Sequence, residues 1–315
     1  MDHALTTDRR ARVQQLVDRG EALLEVSDPE GARACFTEAL RLDAASVRAR
    51  HGLGLCFEAE GRDERALAAY EQARADAPDD PGLAFSAASL CQRLGLLEDA
   101  AARYAAVIAL VPDHKLALHN LGSLCLSRGD LEAARGLFER ALAVDPAEPA
   151  TRLNLAVALQ GLGDRDALVA CLEEGVRARP DHVGLRYRLA LAHLARGETD
   201  AARTHFRAVL DLDPHCFEAH YRLGQLSLAR GDARDGAVWL EKACALRPDS
   251  ATAENDLGVA RQLLGDVDGA RACFERALGT DPGHEAARHN LATLPPRPPR
   301  IVRHVLAGGG ADSGT

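Results

Sequence analysis

Rings are scarce in this chain. Aromatic residues make up 4% of its 315 residues, and there is a single tryptophan. With strand-forming aromatic and β-branched residues in short supply, a core has to be assembled from Ala, Leu and Val, which favours closely packed helices over sheets. Lysine is rarer still: of 38 basic residues only Lys115 and Lys242 are lysines. A GC-rich coding bias accounts for this, with the planar guanidinium's suitability for carboxylate or phosphate as the alternative. Positive charge is not in surplus either. The formal net charge is −9, with both signs interspersed, so the basic footprint of a nucleic-acid partner is missing. No run approaches the roughly 18 apolar residues that span a bilayer. The opening MDHALTTDRRARVQQ carries charge throughout and has no apolar signal core or lipidation Cys. These absences predict a cytoplasmic chain that does not enter a membrane.

What the sequence does contain is a period. Hydrophobic residues reach 47%, enough for a real core, and no break in composition divides the chain. Residues 54–78 (GLCFEAEGRDERALAAYEQARADAP), 122–146 (GSLCLSRGDLEAARGLFERALAVDP) and 258–282 (GVARQLLGDVDGARACFERALGTDP) align on one skeleton. It reads G-x6-G-x4-A-x3-(Y/F)-x2-A-x4-P. Steps of 34 from Val13 give eight units without a gap: 13–46, 47–80, 81–114, 115–148, 149–182, 183–216, 217–250 and 251–284.

Each unit reads as two helices. Gly at the fifteenth place, from Gly61 to Gly265, suits the left-handed turn that ends the first helix. An acidic residue often follows and suits the start of the second. Pro at the thirty-second place, from Pro78 to Pro282, stops that second helix. The first unit has Ser27 and Ala44 instead, as an end unit does. Small residues at the eighth and twentieth places, such as Gly122 and Ala134, mark where helices touch. Four residues on, Phe36, Tyr70, Tyr104, Phe138, Phe206 and Phe274 fill the gap between adjacent units. Cys35, Cys171 and Cys273 share one place in the repeat and none of the eight cysteines forms C-x-x-C. That is the pattern of a small core residue.

With this period, a two-helix unit and the L-G…A…F…A…P pattern, residues 13–294 resemble the tetratricopeptide-repeat (TPR) family. The tryptophan often found near the start of the family pattern is absent, and Trp239 lies in a second helix. The resemblance implies an all-α fold, a right-handed TPR α-solenoid: a superhelix of antiparallel helix pairs whose first helices line the concave face. On this reading residues 1–12 lead into the first helix, with Thr7 or Asp8 as its N-cap. Residues 13–284 are the eight repeats and 285–294 a C-terminal capping helix. Residues 295–315 are a Pro/Arg- and Gly-rich disordered tail, whose PPRPPR run is alternatively a polyproline II ligand.

A Walker loop, G-x-G-x-x-G turn, nucleophile elbow and H-E-x-x-H motif are all missing. The chain is expected to be no enzyme, with no cofactor and no metal. His114 and His119, like His284 and His289, sit five apart across a junction, a spacing that reads as solvated histidines.

By resemblance, the concave groove is lined by the second, fifth, sixth, ninth, twelfth and thirteenth places of each unit. The candidate partner-binding residues are Phe85, His119, Asn120, Asn154, Tyr187, Arg188, Tyr221, Arg222, Gln225 and Asn255. An Asn side chain donates and accepts together, so a row of them can grip an extended peptide backbone. The pairs Tyr187-Arg188 and Tyr221-Arg222 suit an acidic or carboxylate-bearing peptide. The alternative is that these groups are solvated or bonded to the neighbouring helix. Asn120, Asn154 and Asn290 match the Asn ladder in the TPR region of O-GlcNAc transferase, whose catalytic half has no counterpart here. The carboxylate clamp of co-chaperone TPR domains is matched only by Asn154 and Arg188, with His119, Ser123 and Gly184 in place of its other members. The resemblance thus implies a scaffold or adaptor that binds an extended peptide or a partner helix in its groove. Two alternatives stand beside it: a substrate-recruiting subunit for a separate modifying enzyme such as a glycosyltransferase, and a self-assembling oligomeric platform.

Overall fold

The structure is a computed structural model that describes residues 2–296; residues 297–315, with most of the PPRPPR run and the Gly-rich end, lie outside the described residues. The described residues form seventeen helices and no strand. The chain divides into two compact units, Met1–Leu185 and Arg186–Thr315. In the first are α1 (Asp2–Glu25), α2 (Pro29–Leu42), α3 (Val47–Ala59), α4 (Asp63–Asp76), α5 (Pro81–Arg93), α6 (Leu97–Leu110), α7 (Lys115–Ser127), α8 (Leu131–Val144), α9 (Pro149–Leu162) and α10 (Arg165–Ala178). Helix α11 (Val183–Ala195) carries the chain into the second. There follow α12 (Thr199–Leu212), α13 (Phe217–Ala229), α14 (Ala233–Leu246), α15 (Ala251–Leu263), α16 (Val267–Thr280) and α17 (Glu285–Thr293).

Most helices open on a local chemical signal. At most first helices the preceding residue is the cap: the side chains of Ser46, Asp80, Glu148 and Ser250 accept a backbone N–H of the opening turn, while Cys216 before α13 does not. Histidine does the same at three junctions. Nδ1 of His114, His182 and His284 accepts from Ala117, Leu185 and Ala287 at 3.2, 3.1 and 3.2 Å. The reading of His114 and His284 as solvated is thereby corrected: their unprotonated nitrogen stands in for a hydroxyl or carboxylate oxygen. Second helices are capped by Asp28, Asp130, Asp164, Asp232 and Asp266.

The N-terminus departs from expectation. Residues 2–12 are no lead-in, and neither Thr7 nor Asp8 starts a helix, because α1 runs unbroken from Asp2 to Glu25. No Gly or Pro interrupts the sequence before Gly20, and its Ala, Arg and Leu residues favour continuation.

Between the two helices of a pair the chain turns through a left-handed residue. The seven fifteenth-place glycines have φ between 71° and 82°, and Ser27 takes the same turn at φ 61°. A side chain in this region costs roughly 1–2 kcal/mol. Ser27→Gly is therefore expected to stabilise the N-terminal pair by about 1 kcal/mol, seen as a higher denaturation midpoint. An unchanged midpoint would show that the serine carries no strain.

The rings at the twenty-fourth place are the core. Phe36, Tyr70, Tyr104, Phe138, Phe206 and Phe274 are all 0% exposed. They fit because the facing residue is small: a Cβ on Gly122 would lie 2.8 Å from the ring of Phe138, and one on Gly258 2.4 Å from that of Phe274. Phe36 is held between Gly20 of its own pair and Gly52 of the next, where added Cβ atoms would come to 2.7 and 2.4 Å. Phe138 and Phe274 thus close their own pairs, while Phe36, Tyr70, Tyr104 and Phe274 also cluster with residues of the next helix pair, and neighbour contacts are what stabilise a repeat stack.

A second regularity involves the fourth place of the unit. Arg50, Arg152, His220 and Arg288 all bond the carbonyl six residues earlier, at the thirty-second place. For Arg152 to Pro146 the distance is 2.8 Å, and for Arg288 to Pro282 2.7 Å. The bond satisfies a carbonyl at the turn between pairs, where no helix supplies a donor. The same place also meets the twenty-sixth. Arg152 pairs with Glu174 at 3.2 Å, and the pairing is inverted three units on, where Arg276 pairs with Glu254 at 2.8 Å.

All eight cysteines are free thiols, and Cys56, Cys91, Cys171, Cys244 and Cys273 are buried. Burial pushes Cys56 up to about 11 and Cys244 up to about 12, far from the reactive thiolate at neutral pH.

Candidate functional site

The sequence-predicted site residues fall on first helices: Phe85 on α5, His119 and Asn120 on α7, Asn154 on α9, Tyr187 and Arg188 on α11, Tyr221, Arg222 and Gln225 on α13, and Asn255 on α15. A rule links several of these helices. The fifth place of one bonds the sixth place of the next: His51 Nε2 and Ser86 Oγ lie 2.9 Å apart, Tyr221 donates to Asp256 at 2.9 Å, and Asn290 donates to Asn255 at 2.9 Å.

In the first compact unit most of the candidates are committed to such internal bonds. Asn120 Nδ2 donates to the Tyr104 hydroxyl at 2.9 Å, which in turn donates to Gln92 at 2.8 Å. Burial pushes the Tyr104 phenol up, so it stays protonated and keeps that bond. Asn154 Nδ2 donates to Ser123 Oγ at 3.3 Å. His119 Nδ1 lies 2.7 Å from Thr151 Oγ1, and burial lowers its pKa, so it brings no positive charge near neutrality. Phe85 is half-buried, its ring stacked on His114 at 5.0 Å and tilted against Tyr104 at 5.7 Å. These residues form a stiff, largely neutral wall in which each Asn has spent one amide donor.

The second unit differs. Tyr221, Gln225 and Asp256 form a closed network, with Gln225 Nε2 donating to the Tyr221 hydroxyl at 2.7 Å and to Asp256 at 3.1 Å. Asp256 also accepts from Asn255, which is itself buried. Burial, then the adjoining Asp256 carboxylate, pushes the Tyr221 phenol up. Asp256 is the residue that sequence reasoning missed. It sits at the sixth place, where the Asn and Arg ladder runs, and comparing that place across all units would have found it. Arg222 bonds only the Gln225 carbonyl oxygen, at 3.1 Å. Arg188, one repeat earlier at the same place, is exposed and has no hydrogen-bond or ion-pair partner among the described residues. Beside it the half-buried Tyr187 ring packs against Phe206 at 5.5 Å and leaves its hydroxyl uncommitted.

Paired helices at a fixed 34-residue step, a left-handed glycine inside each pair and a buried ring against a glycine define the repeat. The profile of the tetratricopeptide repeat matches residues 17–81, 86–149, 153–214, 187–251 and 239–285. The chain belongs to the tetratricopeptide-repeat family. Its fold is accordingly an all-α TPR solenoid. Solved TPR structures agree. One from Parabacteroides merdae is 19% identical over 79% of this chain and 99% of its own, with a TM-score of 0.52. The C-terminal part of a TPR protein from Cytophaga hutchinsonii is 16% identical over 76% of this chain and 98% of its own, with a TM-score of 0.64. YrrB, a TPR protein described as having an unusual peptide-binding site, is 22% identical over 59% of this chain and 96% of its own, with a TM-score of 0.52. No curated protein sequence matches the chain. TPR proteins typically serve as protein-interaction scaffolds and are generally non-enzymatic. Among the described residues no helix is long and apolar enough to cross a membrane, and no group of three or more His, Cys, Asp or Glu is placed to hold a metal ion.

Proposed function

We propose that this TPR chain is a non-enzymatic scaffold that holds a carboxylate-bearing peptide against α11 and α13. The observation that carries this reading is the free charge of Arg188, repeated one unit on by Arg222, whose one bond is to a neutral amide. A guanidinium that forms no internal ion pair keeps its fork of donors for a ligand carboxylate. Tyr187 and the immobilised Tyr221 flank the two arginines as flat, amphipathic contacts of the kind that dominates binding energy. Asp256 does not oppose such a ligand from a free position, since Tyr221, Gln225 and Asn255 all donate to it. The asparagines of α7 and α9 would serve as wall rather than grip. That YrrB carries a peptide-binding site is compatible with this reading.

The test is fluorescence anisotropy with a labelled dodecapeptide of alternating Glu and Leu. Each lost charge-assisted bond costs about a factor of ten, so Arg188→Glu with Arg222→Glu should weaken binding roughly 100-fold. Replacement of both by Lys should retain part of the affinity. Equal affinity of the charge-reversed variant and the unaltered chain would refute the site.

A further inference from the structure

The seventh unit puts its ring one residue away from where six other units keep theirs. At the twenty-fourth place it has Leu240 and at the twentieth Gly236. Facing them is Gly224, on which a Cβ would lie 2.6 Å from Leu240 and 3.4 Å from the backbone oxygen of Gly236. Helices α13 and α14 therefore meet without a ring between them. The ring of this unit is Trp239, and one step along a helix turns a side chain by about 100°. It leaves the core and becomes the wall of a cavity of about 570 Å³ between α12 and α14. Leu210, Ala245 and Leu246 continue that wall, and His220 packs tilted against the indole at 5.6 Å. The indole N–H is shut off from solvent and has no partner. A buried Trp usually finds one, so here the ring is positioned for its apolar area.

Charge says what the cavity would meet. In the fifth and eighth units the fourth and twenty-sixth places join a cation to a carboxylate, Arg152 to Glu174 and Arg276 to Glu254. Here they hold His220 and Lys242. The ammonium of Lys242 lies 5.0 Å from the Trp239 ring centroid, and it has no ion-pair partner among the described residues. Arg207, on the opposite rim, has none either. Against these two cations stands the single carboxylate of Asp211, so the mouth is positive on a chain of net charge −9. The apolar surface also runs past the cavity. Val238 is 46% exposed and shares a stripe of α14 with Lys242, Ala245 and Leu246. A small molecule seated on Trp239 would leave Val238 bare, whereas an extended chain along α14 would cover it.

We propose that this cavity binds a segment of a partner protein that carries an aromatic or aliphatic side chain beside a carboxylate. The side chain enters against Trp239 and Leu210, and the carboxylate meets Lys242 and Arg207. The site lies between the second helices α12 and α14, with His220 of α13 against its indole, and shares no lining residue with Arg188 and Arg222.

Trp239 is the only tryptophan, so its emission reports on this cavity alone. The full chain is titrated with acetyl-Asp-Leu-Phe-Asp-amide, with the Lys-Leu-Phe-Lys and Asp-Gly-Gly-Asp counterparts as controls, and with indole-3-acetate. The first peptide should give a saturable change and the two controls none. Lys242→Glu with Arg207→Glu, both exposed and checked by circular dichroism for an unchanged fold, should weaken binding at least about tenfold. The Arg188→Glu/Arg222→Glu variant should bind as the unaltered chain does. The proposal is overturned by no saturable change with the first peptide, by equal binding of the lysine peptide, or by undiminished affinity in the Lys242/Arg207 variant. It is overturned too if the Arg188/Arg222 variant loses the signal, or if indole-3-acetate binds as tightly as the peptide.

Discussion

Phe138→Ala is expected to cost about 3–5 kcal/mol and to divide unfolding into separate transitions. The ring is 0% exposed and sits on Gly122, with His119 tilted against it at 5.9 Å. Truncation leaves a hole that the helices cannot easily close. Helix α7 is pinned at its start by the His114 cap, and α8 by Asp130. A whole domain has only about 5–15 kcal/mol of net stability, so this loss is a large share of it. It falls on one pair of a chain held by neighbour contacts, and the pairs on either side of that weakened pair then unfold at different denaturant concentrations. Urea unfolding followed by circular dichroism reports on all helices, while Trp239 emission reports only on residues near α14. In Phe138→Ala the two midpoints should lie further apart than in the unaltered chain. Coincident midpoints in the variant would show that the repeats unfold as one body despite the weakened link.

Arg276→Met is expected to destabilise the second compact unit by about 2–3 kcal/mol. The Glu254 side chain is 8% exposed, and Arg276 holds it through Nε and Nη2 at 3.0 and 2.8 Å. Removing the guanidinium leaves a buried carboxylate without its counter-charge. The Arg276 side chain is itself 50% exposed, so water and salt screen part of the loss and bring it below the roughly 3–5 kcal/mol of a fully buried pair. Five units into the repeat the chain has the opposite arrangement, Arg152 with Glu174. Glu254→Arg combined with Arg276→Glu should therefore recover most of the stability, the new arginine reaching the Pro248 carbonyl as Arg152 reaches Pro146. A urea midpoint for Arg276→Met equal to that of the unaltered chain would show that the carboxylate is hydrated instead. A double variant no better than the single one would show that the two units are not interchangeable.

The fold was legible because its signals are local and repeated. Gly61 to Gly265, Pro78 to Pro282 and the rings from Phe36 to Phe274 stand at fixed places, and each acts on the backbone or on the next pair alone. The candidate site was legible only as a row of places. The places could be named from the period, but not what each side chain bonds to. Asn120 and Asn154 read as grips for a peptide and turn out to donate to Tyr104 and Ser123, residues 16 and 31 positions earlier. His114 and His284 read as solvated, because histidine is an uncommon cap. The α1 boundary was misplaced because Thr7 and Asp8 are good caps, yet nothing after them forbids the helix from having begun already.

The sequence by itself determined the repeat, the two-helix unit and which residues enter the core, since periodicity and backbone preference act within a few residues. The tertiary structure decided which polar groups are already satisfied. It closed the bonds of Asn120, Asn154 and Asp256 and left Arg188 and Lys242 without ion pairs. Charge pairing depends on what lies opposite across about one repeat of chain, and no local pattern contains that distance.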